Sequence, residues 1–238
     1  MYRRIRKHRP EYDLRDIVSE IRQRYLDCGC ALHPVLPKTV RGPVCETWWG
    51  KMWCRNIKQY ADFRNRLPRG KRYIRLGTVI DMRVTSDRMD ARVVGGRSDP
   101  YEVRIDIDPL SEKRMKEIEH RCIVQIQDMY KLVNGVFPEG LRYQLVNDSG
   151  LFPAKGEIHC ACSCPDSAIV CKHVAAVLYG FGIRFDTEPL LLYKLRNVDI
   201  ESLIYRDTDR RVEQLLNRTD VPKERWIAEM DALRLFGL

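Results

Sequence analysis

Residues 157–182 read EIHCACSCPDSAIVCKHVAAVLYGFG, and the two halves of this stretch follow different periods. In EIHCACSC, alternation puts Ile158, Cys160, Cys162 and Cys164 on one face of a strand. Pro165 and Asp166 stop the strand. CKHVAAVLYG then reads as a helix, with Val174, Val177 and Leu178 inward and Gly180 and Gly182 at its end. Cys171 and His173 fall at the helix start, so strand, turn and helix bring four ligand-type residues together.

Zinc takes four soft or borderline S and N donors in a tetrahedron. Cys162, Cys164, Cys171 and His173 supply them, and a neighbouring Lys172 offsets the thiolate charge. Four protein ligands leave no position for water or substrate, so the expected ion is single and structural. Cys160 shares the face of Cys162 and is the alternative ligand; Cys162 and Cys164 are preferred because the next ligand pair has the same spacing. The plainer reading, buried thiols beside an ordinary histidine, leaves the convergence unexplained. A disulfide between cysteines two apart would be strained.

Upstream, from Tyr73, the period is two. Ile74, Leu76, Thr78, Ile80, Met82 and Val84 alternate, followed by Met89, Ala91 and Val93, and after Gly95-Gly96 by Tyr101, Val103, Ile105 and Ile107. Three strands with short polar connections predict an antiparallel meander with one apolar face. Pro109 opens a predicted helix whose stripe is Met115, Ile118, Cys122, Ile126, Met129 and Val133, and a short helix is expected around residues 139–146. Leu14, Ile17, Val18, Ile21 and Tyr25 predict an amphipathic helix nearer the start, and Trp48, Trp49, Trp53, Ile57 and Tyr60 form another helical stripe. Pro68 and Gly70 mark RNRLPRGKRY as a basic loop. The fold class is therefore α+β: a basic N-terminal extension over 1–45, a meander packed with helices over 46–150, a zinc-bound finger over 151–185 and short helices over 186–238.

No apolar run reaches the roughly 18 to 20 residues of a membrane span. The basic opening MYRRIRKHRP has no apolar stretch after it, which argues against a secretory signal and for the cytoplasm. There the nine cysteines are thiols or ligands. The net charge of +9 is unevenly placed. Residues 1–76 hold 19 Lys and Arg against 7 Asp and Glu, a net +12, and the rest of the chain is acidic by 3. Such asymmetry favours a polyanion, nucleic acid before membrane.

Arg64, Arg66, Arg69, Lys71, Arg72 and Arg75 concentrate that charge beside the tryptophans. They read either as phosphate contacts or as a solvated loop; the tryptophans, at helical spacing, read as core. Cys28, Cys30, His33 and Cys45 could hold a second metal, although their spacing matches no known ligand pattern. Asp81, Asp106 and Asp108 lie on neighbouring strands and could be imagined as a nuclease site, against the plainer reading of a polar sheet face. Cys54 and Cys122 read as core thiols. Phosphate-binding, zinc-protease and nucleophile-elbow motifs are missing, so neither a small-molecule substrate nor catalysis is expected.

Cys162-x-Cys164, six residues, Cys171-x-His173 resembles the SWIM zinc finger. CSCPDSAIVCKHVAAVLYGFG, with ETWWGKMWCRNI, NRLPRGKRYIRLGTVIDMRV, SGLFP and PLLLYKLRNVD in order, is similar to a family of prokaryotic SWIM-domain proteins from about Glu46 to Asp199. Ser167 departs from the large aromatic residue many relatives carry after the Pro-Asp pair. The resemblance implies a zinc-stabilised strand-strand-helix module that binds DNA or protein without catalysis, often linked to Swi/Snf-type ATPases. The expected function is a nucleic-acid-binding subunit beside such an ATPase; the alternatives are a protein-protein adaptor and a nuclease using the Asp81 and Asp106 region.

Overall fold

The computed structural model describes residues 11–203 except 40, 125–130, 133, 143–144 and 146–149, together with 205, 209 and 213. Two compact units divide the chain, residues 1–200 and 201–238; the described residues of the second are helical.

The first unit is α+β around a four-stranded antiparallel sheet in the order β1-β2-β3-β4. β1 (Val79–Thr85), β2 (Arg88–Val93) and β3 (Tyr101–Ile107) form the meander. β4 (Ile158–Cys162) joins it by pairing with β3, Val103 opposite Cys162 and Ile107 opposite Ile158. The finger strand is thus a strand of the main sheet. Met82, Met89, Ala91, Val93, Val103 and Ile105 on the inner face are buried, which is why the alternation was legible. On the outer face, Arg88 pairs with Asp106 at 2.7 Å and Arg104 with Asp90 at 3.4 Å.

The helices α1 (Glu11–Asp27), α2 (Trp48–Asn56), α3 (Arg66–Arg75), α4 (Glu112–Val124), α5 (Lys172–Thr187) and α6 (Leu191–Leu195) complete the unit with short 3-10 turns. In α1 the predicted stripe packs as expected: Val18 and Ile21 are buried against Ile80 and Val94, with Leu14, Ile17 and Tyr25 around them. In α4 the described part of the predicted stripe buries Ile118 and Cys122, while Ile126, Met129 and Val133 lie outside the described residues. Near residue 139 the structure has a 3-10 turn, Glu139–Leu141.

Two sequence expectations are corrected. RNRLPRGKRY is a helix, α3, where a loop was expected, and Ile74 belongs to that helix, so the first strand starts at Val79. Pro68 is tolerated because it sits in the first helical turn, where a missing N–H breaks no bond. Gly70 lies where α3 crosses α5: a Cβ there would come within 2.8 Å of the Ala175 carbonyl carbon and 2.9 Å of the Ala176 nitrogen. The second correction concerns α5, which runs on to Thr187 through Gly180 and Gly182. At Gly182 a Cβ would stand 2.9 Å from Trp53 Cδ1, so this glycine admits a ring and does not end the helix.

α5 is the central element, buried along most of its length. Trp53 Nε1 donates to its Leu178 carbonyl at 2.7 Å, and Trp49 Nε1 to its Phe185 carbonyl at 2.8 Å. The second of these satisfies one of the last-turn carbonyls that a helix leaves unpaired. Both tryptophans are buried, and Phe152 meets the Trp53 ring edge-on while Phe181 packs tilted against it. The core reading of Trp49 and Trp53 therefore holds. Asp186, near the end of α5, accepts the amides of Glu46 at 2.6 Å and Thr47 at 3.2 Å, placing a carboxylate at the N-terminus of α2. On the far side, fully buried Arg196 donates to the Asp108 carbonyl at 2.9 Å and to Glu157 at 3.1 Å, locking the chain beyond α6 to the entrance of β4.

Candidate metal centre

Cys162 closes β4 on the inner sheet face, opposite Val103. Ser163 extends the pairing by one residue: its amide donates to the Glu102 carbonyl and its Oγ accepts the Glu102 amide, both at 3.0 Å. Cys164 follows on the same side. The chain then turns through Pro165–Val170, and Cys171 arrives as the N-cap of α5, its sulfur accepting the Val174 amide at 3.5 Å. His173 stands in the first turn.

The ligand atoms of Cys162, Cys164, Cys171 and His173 all lie within 4.8 Å of one another. The ring nitrogen facing the thiols is Nδ1, 3.7 Å from Cys162 Sγ and 3.9 Å from Cys171 Sγ. Three sulfurs and one imidazole nitrogen are a donor set for Zn2+, and Nδ1 is the atom placed to bind. Hydrogen bonds with Cys162, His173 and the Val174 amide hold the Cys171 thiol well below its usual range. Cys162, which donates that bond, is pushed up. A helix N-terminus beneath Cys171 favours its thiolate in the same sense. Cys160 lies outside the cluster, paired in the ladder with Ile105, and burial pushes its thiol up to about 12. The ligand choice between Cys160 and Cys162 falls on Cys162.

The SWIM zinc finger family matches residues 144–179, a span that encloses all four ligands. The chain carries a SWIM zinc finger. Its finger holds one structural zinc ion; when bound, that ion ties β4 to the start of α5. The uncharacterized protein Rv2102 of Mycobacterium tuberculosis is 31% identical over 169 residues, covering 70% of this chain and 61% of the relative. No solved structure matches.

Around the SWIM site the structure adds residues that no local pattern announces. His173 is 2% exposed and lies face to face with Tyr101, ring centroids 4.1 Å apart, while Tyr73 of α3 meets it edge-on at 5.4 Å. Arg97 covers Tyr101 at 4.6 Å, and Lys172 covers Tyr73 at 5.0 Å. Gly95 makes the stack possible, since a Cβ there would be 2.5 Å from the Tyr101 ring and 3.1 Å from His173 Nε2. Two carboxylates brace the turn. Asp62 accepts the amides of Ile169 at 2.9 Å and Val170 at 3.4 Å, and Asp166 accepts Arg66 at 3.0 Å. Exposed Ser167 takes no part in this bracing.

The six basic residues singled out in the sequence divide into three groups. Arg66 is committed to Asp166 and Arg75 to the Gly42 carbonyl. Arg72 is exposed on the same helix. Arg64 and Arg69 are exposed and Lys71 half-buried, with no carboxylate partner among the described residues. The possible second metal set does not assemble. Cys28 and Cys30 are exposed, His33 bonds Asp81 at 3.2 Å, and buried Cys45 faces Cys54 with sulfurs 3.1 Å apart.

The carboxylates of the nuclease alternative are likewise engaged separately. Asp81, 5% exposed, accepts the His33 amide at 3.0 Å and Arg92 at 3.4 Å; Asp106 pairs with Arg88, and Asp108 with His159 at 2.9 Å. The finger is the one metal-competent Cys/His/carboxylate group among the described residues. No helix among them is long and apolar enough to cross a membrane.

Proposed function

We propose that this protein is a non-enzymatic, zinc-stabilised subunit that binds nucleic acid, with DNA as the ligand. It works in the cytoplasm beside a Swi/Snf-type ATPase, as its family resemblance implies. The observation that carries the reading is the set Arg64, Arg69 and Lys71: cations without a carboxylate partner among the described residues, on or just before α3. That helix packs on the finger helix at Gly70. A zinc-dependent element thereby holds a basic surface at a fixed place. Arg66 and Arg75 serve the architecture, and the net +12 of residues 1–76 supplies the surrounding field.

The test is fluorescence anisotropy of labelled DNA with the zinc-loaded protein at about 50 and 200 mM salt. Affinity is expected to fall steeply with salt. The Arg64→Ala/Arg69→Ala/Lys71→Ala variant is expected to bind less tightly and with a shallower slope, by about 0.7–0.9 for each phosphate no longer neutralised. No binding even at the lower salt would refute this reading and make the protein an adaptor. Comigration with the Swi/Snf-type ATPase of the same genome in size-exclusion chromatography tests the partner.

A further inference from the structure

Phe63 and Ile169 are large apolar side chains left 52% and 62% exposed, one in the turn before α3 and the other in the turn before Cys171. They are not on loose loops. Asp62 holds the amides of Ile169 and Val170, and Arg66 bonds Asp166, so the two turns are clamped from both ends. The clamp consumes both local acids, Asp62 and Asp166, and one cation, Arg66. Arg64, next to Phe63 in the chain, and Arg69 on α3 remain exposed without carboxylate partners among the described residues.

The Arg66 guanidinium lies 5.6 Å from the centre of the Phe63 ring, covering part of it while half the residue stays open to solvent. An exposed aromatic face, an exposed apolar side chain on the turn bonded to it and uncompensated positive charge are the parts of a stacking platform for an unpaired base, with phosphates held at the rim. An acidic peptide would meet the rim cations but has no flat π-face to lay on the ring.

We infer that Phe63 and Ile169 form a seat for an unpaired base, so that the ligand is single-stranded or locally opened nucleic acid. The inference rests on the nucleic-acid reading above. A base in a closed duplex cannot reach the ring, so the platform discriminates between strand forms. Stacking of this kind changes affinity by about tenfold per base.

The experiment compares a labelled mixed-sequence single strand with its duplex, using the full-length zinc-loaded protein and its Phe63→Ala, Phe63→Trp and Ile169→Ala variants. Zinc content and circular dichroism are read as fold controls. Phe63→Ala is expected to weaken single-strand binding about tenfold, leave the salt slope unchanged and leave duplex binding nearly unaltered. Phe63→Trp should keep the affinity and show added indole quenching on binding. Unchanged single-strand affinity in Phe63→Ala, with salt-sensitive binding intact, overturns the seat while the nucleic-acid reading stands. Wild-type protein that binds neither strand form at low salt overturns both and makes the pair a protein contact.

Discussion

Gly95 and Gly96 are adjacent in one turn, yet adding a methyl group to each should have very different consequences. A Cβ on Gly95 would stand 2.5 Å from Tyr101 Cε2, against about 3.5–4.0 Å for an ordinary carbon contact, so the ring must move by about 1 Å. The ring has little room to move, with His173 stacked at 4.1 Å and Arg97 packed at 4.6 Å. Losing the stack costs about 0.5–1.5 kcal/mol, and overpacking about 1–3 kcal/mol. Gly95→Ala is therefore expected to destabilise by about 2–4 kcal/mol. Because His173 is a ligand, zinc affinity should also fall about ten- to hundredfold, the usual effect of losing a support behind a metal ligand. A Cβ on Gly96 meets nothing within 4 Å, so Gly96→Ala should stay within about 0.5 kcal/mol of wild type. Competition for zinc against a chromophoric chelator, with urea unfolding in parallel, measures both. Equal zinc affinities in the two variants would refute the argument that Tyr101 positions His173.

Gly70→Ala sets two effects against each other: helix propensity gains about 1 kcal/mol, while overpacking against the α5 backbone costs about 1–3 kcal/mol. Atoms of the Ala175 and Ala176 backbone cannot rotate away, so the expected result in urea unfolding is net destabilisation; a stabilised variant would mean that α3 and α5 do not cross as closely as described. Thiol labelling of the zinc-loaded protein should be ordered by exposure, with Cys28 and Cys30 reacting first. Cys122, pushed up to about 12 by burial, and Cys45, pushed up by its hydrogen bond with Cys54 and by burial, should react last. Mass mapping that finds Cys45 among the first labelled would contradict that environment.

The strands and the finger were readable because each buries a single face, so that burial prints a period of two on Met89–Val93 and Tyr101–Ile107 and repeats it in the cysteines of β4. The stripes of α1 and α2 were readable for the same reason at helical spacing. Reading failed where tertiary contact overrode a local rule. Pro68 and Gly70 are turn residues by local preference, but one occupies a helix's first turn and the other a helix crossing. Gly182 is a helix terminator by the same logic, yet it makes room for Trp53. The supports of the metal site were hidden for a different reason: Tyr101, Tyr73 and Asp62 reach it from distant parts of the chain, and a place in a strand or helix pattern does not say that a side chain meets His173 or the finger turn. Asp81, on the polar side of an alternating strand, is nonetheless buried, and it bonds His33 and Arg92.

The central claim is that four side chains, Cys162, Cys164, Cys171 and His173, hold one zinc ion that ties β4 to α5. Its most direct test is zinc content by elemental analysis of the purified chain and of Cys171→Ser, with circular dichroism before and after chelation. The expected result is one zinc per wild-type chain, none in the variant, and loss of helical signal when the metal is removed. A wild-type chain that is metal-free and keeps its full helical signal would contradict it.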